Sequence, residues 1–283
     1  MFFRKKQQLT PARIILIGFA LLILAGALLL TMPISTRDGQ GASFFDALFT
    51  ATSATCVTGL VVQDTAQYWS GFGQAVIIVL IQIGGMGVVT VAVAISMLAG
   101  RRIGLKERWV MQESISAPQV GGIVRRTRFI LAAMLLLEGA GALLLASRFC
   151  PEMGLRGIWY AVFHAISSFC NAGFDLFGHF TSLTAYRTDA LVNLTVCTLV
   201  VLGGLGFSTV RELYSKRSLR RLGLQAKLVL TTYGALLLVG FLFNLAAEWS
   251  NPGTLGDLTV GEKLLAALLQ SVTLRTAGFH TID

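Results

Sequence analysis

Three polar strips that end in glycine interrupt an otherwise apolar chain, and their backbone could coordinate a cation. Each strip closes a 13-residue segment, and these segments are Ala47–Gly59, Ala161–Gly173 and Ala266–Gly278. We call their last three residues strip one (Val57, Thr58, Gly59), strip two (Asn171, Ala172, Gly173) and strip three (Thr276, Ala277, Gly278). Glycine accepts φ > 0 at little steric cost, so it can turn carbonyl oxygens toward a common axis. Carbonyl oxygens placed in this way replace the hydration shell of a cation.

The ten residues before each strip are partly apolar and about one-half of a bilayer long. They predict a short re-entrant helix rather than a membrane crossing. Non-helical backbone at membrane depth is tolerated only where it is buried in protein or lines a wet cavity. A helix that ends at the strip would bring the negative end of its dipole near the cation. A single strip is more simply explained as a glycine turn between helices, but three strips in matching segments favour a filter.

The composition places these segments in a membrane protein. Hydrophobic residues make up 54% of the chain and charged residues 13%, outside the usual range of soluble domains. Stretches close to or above the roughly 20 apolar residues of a membrane span occur at Ile14–Met32, Phe72–Gly100, Phe129–Ser147, Ala190–Val210 and Leu228–Ala247. We therefore predict five full spans. The first is a retained anchor, because its apolar run is too long for a signal peptide.

The basic residues mark one side of the membrane. Of the 23 Lys and Arg residues, 17 lie before span one, between spans two and three, or between spans four and five. This positive-inside pattern predicts a multi-pass protein of the plasma membrane with a cytoplasmic N-terminus. The formal charge of +9 therefore does not indicate binding of nucleic acid.

Each 13-residue segment follows a span, so the repeating unit is span, short helix, strip, span. Because one unit crosses the membrane twice, successive units have the same orientation, unlike the inverted repeats of many secondary transporters. We predict unit one over residues 1–112 with the cytoplasmic N-terminus and a basic loop, and unit two over residues 113–222 with a basic loop. Residues 223–283 form the first half of unit three.

Five segments carry a resemblance to a known family: Phe44–Thr65, Ile81–Thr90, Phe163–Phe177, Leu202–Leu213 and Gln270–Asp283. Together they resemble the Trk/Ktr/HKT superfamily of potassium transporters, and most of all the membrane subunit of the bacterial Ktr type. The resemblance covers essentially the whole chain. It implies an all-α polytopic membrane protein in which four parallel units surround one pore. Each unit is a transmembrane helix, a re-entrant pore helix, a filter loop and a transmembrane helix, and about two and a half of the four units are present.

The same resemblance implies the site residues. One filter glycine comes from each unit, at Gly59, Gly173 and Gly278, and the neighbouring carbonyls come from Val57, Thr58, Asn171, Ala172, Thr276 and Ala277. Potassium would be bound at these filter residues only, with sodium as a candidate activator and no cofactor in this chain. A glycine rather than a serine in strip one is similar to the potassium-selective members.

Partners are also implied by the resemblance: a homodimer, and a cytoplasmic nucleotide-binding regulatory ring that docks on the basic loops Arg101–Arg108 and Lys216–Lys227. Both loops could instead bind the anionic headgroups of membrane lipid, and the sequence does not separate the two.

The chain departs from the family pattern at its C-terminus. It stops at Asp283, five residues after Gly278, so we expect the outgoing span of unit three and all of unit four to be absent. The leading hypothesis is the pore-forming subunit of a potassium uptake system. It is not an enzyme, since the sequence has no nucleophile elbow, P-loop or zinc motif. The alternatives are a non-conducting truncated fragment that acts only in assembly and a secondary transporter of a small solute.

Several residues keep two interpretations. Gly84, Gly85 and Gly87 match Gly203, Gly204 and Gly206 in the second spans, where they form a narrow vestibule or, as we favour, allow close helix packing. Arg275 precedes strip three and is expected to support it by binding carbonyls or a carboxylate, with direct gating as the alternative. Glu138 is either a functional group within span three or a buried carboxylate with a hydroxyl partner. The four cysteines have no metal-ligand spacing and are predicted to be free thiols.

Overall fold

The protein is helical throughout the part of the chain that can be described. The structure is a computed structural model, and it describes residues 10–87, 123–275 and 277–282, with residues 90, 91, 104, 109, 110 and 112. Its longer helices are α1 (Pro11–Leu30), α2 (Phe44–Cys56), α3 (Gly71–Met86), α4 (Ile123–Met153), α5 (Arg156–Phe169), α6 (Ala190–Gly204), α7 (Phe207–Lys216), α8 (Leu224–Glu248) and α9 (Val260–Thr273). Short 3-10 turns lie at Pro33–Ser35, Thr184–Tyr186 and Leu219–Arg221.

Polar caps in the sequence set where several helices begin. Ser43 and Ser70 accept hydrogen bonds from the first turns of α2 and α3. Asp189 accepts two such bonds at the start of α6, and Thr259 and Glu262 form a capping box on α9. These side chains satisfy N–H groups that have no partner inside the helix. The short helices α2 and α9 therefore start where the sequence places a cap.

The helices pack in repeated sets. Helices α1, α2 and α3 contact one another, as do α4, α5 and α6, and α8 packs on α9. Between the sets, α3 contacts α5 and α6 contacts α9. In both cases the outgoing helix of one unit therefore meets the short helix of the next unit, which is the relationship expected of parallel repeats.

The outgoing spans are broken, which differs from the prediction of five full spans. Within the described residues, Ala12–Leu30, Thr127–Met153 and Leu224–Glu248 are long and apolar enough to cross a membrane. Helices α6 and α7 join with a bend of 96°, and α3 ends after 16 residues. Gly87 (φ 81°, ψ 131°) and Gly206 (φ 77°, ψ 141°) stand at the two breaks in the same left-handed conformation. Hydropathy alone did not reveal these breaks, because glycine is tolerated within an apolar run.

The core joins neighbouring units around the strips. Phe174, directly after strip two, is 1% exposed and packs in a cluster with Trp69 and Ile77 of unit one. Phe279, directly after strip three, is also 1% exposed and packs in a cluster with Phe149 of unit two. Each of these phenylalanines therefore packs the segment after its strip against the preceding unit.

Candidate ion-coordinating site

The three short helices end where the strips begin, at Cys56, Phe169 and Thr273. The middle N–H of each strip turns back to the end of its own helix. Thr58 donates to the Ser53 carbonyl at 2.9 Å, and Ala172 donates to the Ser167 carbonyl at 2.7 Å. In strip three, Ala277 donates to the Thr273 carbonyl at 3.1 Å. These bonds satisfy part of each helix C-terminus and hold the strip against it.

The carbonyl oxygens of the strips are left for another partner. Within the described part of the chain, no hydrogen bond is donated to the backbone carbonyls of Val57, Thr58, Gly59, Asn171, Ala172, Gly173, Ala277 or Gly278. Ala172 and Ala277 are fully buried, and buried backbone carbonyls in proteins nearly always have a partner, so the open carbonyls of these two residues are unusual. Carbonyls of this kind are the ligands that a dehydrated cation requires. Thr276, the first residue of strip three, lies outside the described residues.

The strips share an unusual backbone conformation. Gly59, Gly173 and Gly278 have φ of 75°, 71° and 81°, and Val57 and Asn171, the first residues of strips one and two, have φ of 57° and 59°. Positive φ is rare for a β-branched residue such as valine. Strained backbone of this kind persists only where the surrounding structure enforces it, and it concentrates at functional sites.

The filter glycines converge, with strip two between the other strips. A Cβ added to Gly59 would lie 2.5 Å from the Ala172 carbonyl oxygen and 3.5 Å from the Gly173 Cα. A Cβ added to Gly173 would collide with the Ala277 carbonyl and lie 3.1 Å from the Gly278 Cα. The glycines are therefore required both by their φ values and by the close approach of neighbouring strips.

Two polar side chains of α5 anchor the segment after strip two, and the sequence did not single them out. His164 is fully buried, and its Nε2 accepts a hydrogen bond from the Leu176 N–H at 3.3 Å while Nδ1–H donates to the Tyr160 carbonyl at 2.7 Å. Ser167 Oγ donates to the Phe174 carbonyl at 2.7 Å. The signal was available, since both are polar residues on the buried face of a short helix.

Arg275, which directly precedes strip three, stacks on an aromatic ring. Its guanidinium carbon lies 4.7 Å from the centre of the Tyr233 ring on α8, a cation–π arrangement. Tyr233 also packs close to Gly204: its hydroxyl oxygen would lie 3.2 Å from a Cβ added to that glycine. The expected carbonyl or carboxylate partner of Arg275 is not found among the described residues. The supporting role remains a prediction, but its partner is a tyrosine on the incoming span.

The matching glycines of the outgoing spans pack against the short helices. An added Cβ at Gly84 would collide with the Thr55 carbonyl, and one at Gly203 would collide with the Phe169 carbonyl. One at Gly85 would lie 2.7 Å from Cys170 Sγ. The geometry supports close helix packing for these three positions, while Gly87 and Gly206 stand at the helix breaks.

Glu138 is 5% exposed and accepts two hydrogen bonds from the Gln82 side-chain amide of α3. The hydroxyl partner that we expected is therefore an amide. Cys170 Sγ lies 4.0 Å from Gln82 Oε1, so this polar contact continues to the residue before strip two. All four cysteines are free thiols.

Two acidic residues lie in the loops that follow strips one and two, and one of them connects the two units. Asp64 of unit one accepts hydrogen bonds from Ala66, Gln67 and, in unit two, the Phe180 N–H at 3.2 Å. Asp175, two residues after strip two, is partly buried, and desolvation raises its pKa, with Asp64 adding a smaller repulsion. Hydrogen bonds from the backbone N–H groups of Phe177 and Gly178 and the nearby His280 oppose this rise in pKa.

The basic loops are only partly described. Lys216, Arg217, Arg220, Arg221 and Lys227 are all exposed. In the first loop, Arg101, Arg102, Lys106 and Arg108 lie outside the described residues.

Comparison with known proteins places this geometry in context. The TrkH family, described as a cation transport protein, matches residues 14–283. The chain is 43% identical over 277 residues to the Ktr system potassium uptake protein B of Bacillus subtilis (strain 168), covering 98% of this chain and 61% of that protein. It is 40% identical over 281 residues to the potassium/sodium uptake protein NtpJ of Enterococcus hirae, covering 99% and 62%. The chain thus spans about three fifths of the length of these relatives.

The fold is also found in a solved structure. The crystal structure of the potassium transporter TrkH from Vibrio parahaemolyticus aligns with 99% of this chain and 54% of its own chain, with a TM-score of 0.63 and 21% sequence identity. At that identity the likeness concerns the fold alone. The all-α polytopic membrane fold that the sequence predicted is confirmed.

Proposed function

Because the chain belongs to the TrkH family of cation transport proteins, we propose that it is the pore-forming part of a potassium uptake system in the membrane. The family consists of transporters rather than enzymes. The observation that carries the proposal is the convergence of Gly59, Gly173 and Gly278 beside strip carbonyls that, in the described part of the chain, accept no hydrogen bond. The relatives named for potassium uptake supply the choice of ion.

In the proposed mechanism, potassium loses its water at the strips and is held by backbone carbonyls until the next ion displaces it. Filter residues are Val57, Thr58 and Gly59 in strip one, Asn171, Ala172 and Gly173 in strip two, and Thr276, Ala277 and Gly278 in strip three. The C-terminal ends of α2, α5 and α9 add partial negative charge beside the ion. No cofactor takes part. Sodium is proposed as an activator on the strength of one relative that is named for both ions.

A pore of four units is supported by one exposed side chain. Phe174 and Phe279 follow strips two and three and are buried in the preceding units, whereas Leu60, at the same place after strip one, is 63% exposed. We infer that a fourth unit covers Leu60 in the complete pore. The three units proposed within this chain remain those over residues 1–112, 113–222 and 223–283.

We also propose the orientation and the partners of this membrane protein. The protein lies in a bacterial inner membrane, with its N-terminus and both basic loops on the cytoplasmic side, as the charge pattern predicts. The exposed side chains from Lys216 to Lys227 form part of a docking surface for a nucleotide-binding regulatory ring. The pore subunit is proposed to work as a homodimer.

The proposal is tested by growth of a potassium-uptake-deficient bacterium on low potassium. The chain is expressed alone and joined to the remaining C-terminal part of the Bacillus subtilis relative. We expect the joined chain to restore growth and Gly173→Asp to abolish it, with Gly154→Asp as the control. Gly154 has a similar φ of 62° but no atom within 4 Å of an added Cβ.

The other outcomes separate the alternatives. Growth with the chain alone would reject the need for a fourth unit in the same polypeptide. Failure of both chains, each shown to be inserted in the membrane, would favour a role in assembly only. Restored growth that Gly173→Asp does not reduce would exclude the strips as the ion path and favour a solute transporter of another design.

A further inference from the structure

Two arginines face the same cavity between units one and two, well away from the strips. The cavity has a volume of about 740 Å³ and lies where α3 and α5 begin. Its lining includes Arg37 and Arg156, the polar side chains of Ser70 and Gln74, and the aromatic rings of Trp159 and Tyr160. The two arginines are exposed and line this cavity from different units, so the fold and not the local sequence brings them together.

Neither arginine has an acidic partner within the residues that the structure describes. Among the described residues, the ion pairs are Arg148 with Glu152 and Asp189, and Lys216 with Glu212. The Arg37 side chain donates one hydrogen bond within the described residues, from Nε to the Trp69 carbonyl at 3.4 Å. The adjacent carboxylate of Asp38 accepts from the Gln40 N–H instead. A guanidinium has five N–H donors in a fixed fork, and within the described residues only Arg37 Nε donates to another group of the chain, so the other donors of these two exposed side chains are available to an anion.

Two helix N-termini add to the positive potential. Ser70 is the N-cap of α3, and Arg156 is the first residue of α5. Both residues line the cavity, so the positive dipole ends of a 16-residue and a 14-residue helix meet there. This field favours an anion and acts together with the two arginines.

The surroundings indicate an anion that carries an apolar part. Trp159 Nε1 donates to Gln74 Oε1 at 3.0 Å, which fixes one aromatic wall. Leu155, Phe72 and Ile158, next to the lining residues in the chain, are 87%, 39% and 50% exposed. Arginine beside exposed apolar and aromatic side chains is the composition of a membrane interface. A free soluble anion would not need these apolar neighbours.

We propose that this two-arginine cavity binds an anionic phospholipid, with the headgroup phosphate between Arg37 and Arg156 and the acyl chains along Phe72 and Ile158. Guanidinium pairs phosphate oxygens in a bidentate manner. Because the lipid contacts both units, it would hold α3 and α5 together beside the filter helices. The proposal rests on the membrane location of the family and not on potassium conduction, so the two can fail separately.

The test is the thermal unfolding midpoint of the full chain in detergent, titrated with short-chain phosphatidylglycerol. We expect a saturable rise in the midpoint, and a requirement for roughly 20–30-fold more lipid in Arg37→Gln/Arg156→Gln, since each interfacial arginine contributes about a factor of five. Arg187→Gln is the matched control. It removes an exposed arginine of a connecting loop that does not line the cavity, and it should titrate like the parent chain.

Each remaining outcome decides the proposal. Equal responses of the double variant and the parent chain would overturn it, as would equal responses to phosphatidylcholine and phosphatidylglycerol. If millimolar inorganic phosphate reproduces the whole rise, the ligand is a soluble phosphate and the lipid assignment is wrong. If the double variant is already destabilised without lipid, the single variants carry the test, and each should require about fivefold more lipid.

Discussion

The side-chain amide of Gln82 donates hydrogen bonds to both carboxylate oxygens of Glu138, at 3.1 and 2.9 Å. This contact ties α3 of unit one to α4 of unit two. Because Gln82 also approaches Cys170, the contact lies directly behind strip two. A buried carboxylate that keeps its hydrogen-bond donors destabilises the folded protein little. One that loses them lowers the stability by its full desolvation free energy.

Replacing Gln82 therefore tests how Glu138 is held. We expect Gln82→Leu to lower the free energy of unfolding by about 1–3 kcal/mol, because Glu138 is left buried without this donor. Glu138→Gln should cost less, since two amides can still pair. The double variant Gln82→Leu/Glu138→Leu should regain part of the loss. Denaturant unfolding in detergent gives all three values, and an additive double variant would show that the pair is not coupled.

The filter glycines should tolerate no side chain. Gly173→Ala would place a methyl group against the Ala277 carbonyl at a φ that alanine adopts only with strain. We expect potassium uptake by the joined chain to fall to background. Gly154→Ala carries the same backbone strain with no contact within 4 Å, and uptake should persist. Rubidium uptake into cells measures both, and equal losses would assign the effect to backbone strain alone.

Close helix packing can be tested with two helical glycines. Gly84→Ala in α3 would collide with the Thr55 carbonyl at the end of α2, and we expect loss of stability. Gly139→Ala in α4 meets no atom within 4 Å, and it should raise the free energy of unfolding by about 0.5–1 kcal/mol, the helix preference of alanine over glycine. Both free energies of unfolding can be measured in detergent. A change of the same sign in both variants would contradict the close packing of Gly84.

The stacking of Arg275 on Tyr233 should keep strip three in place. Tyr233→Leu removes the ring while leaving an apolar side chain, and Arg275→Met removes the cation. We expect both to weaken discrimination between potassium and sodium, measured as inhibition of rubidium uptake by each ion, because a cation–π contact contributes about 0.5–2 kcal/mol. Tyr233→Phe keeps the ring and serves as the control. Full selectivity in Tyr233→Leu would exclude the stacking as the support.

Asp175 should give stability a specific pH dependence. Burial raises its pKa in the folded protein, so ionisation is penalised only in the folded state. Stability should therefore fall as pH rises from about 3.9, the value in an unfolded chain, through the folded pKa, and then level off. Asp175→Asn should remove this fall. Thermal midpoints of the two proteins across this pH range provide the measurement, and parallel curves would contradict the assignment.

The sequence was sufficient for the repeats and for the incoming span, short helix and glycine strip of each unit. The short helices start at caps, Ser43 and the Thr259–Glu262 box, which lie ahead of Ala47 and Ala266, where the predicted segments begin. The strip glycines lie three to five residues beyond the ends of the short helices, and their positive φ was predictable because only glycine accepts φ > 0 freely. The apolar segments also predicted α1, α4 and α8 as spans, since span length is set by bilayer thickness.

Contacts between units could not be predicted in the same way. The partner of Glu138 is 56 residues away in the chain, and Arg37 shares a cavity with Arg156. Many polar residues could have satisfied either group, and no local pattern selects one. The breaks at Gly87 and Gly206 escaped detection because their flanking residues remain apolar, so hydropathy was continuous across them.

By itself, the sequence determined that this is a polytopic membrane protein with parallel units and a glycine strip in each, because periodicity, hydropathy and glycine placement are local properties of the chain. Only the tertiary structure decided that the strips converge, that Arg275 stacks on Tyr233 and that two arginines from different units line one cavity. These relationships depend on the close packing of helices from different units, where the distance between two side chains is set by the whole fold and not by their separation in sequence.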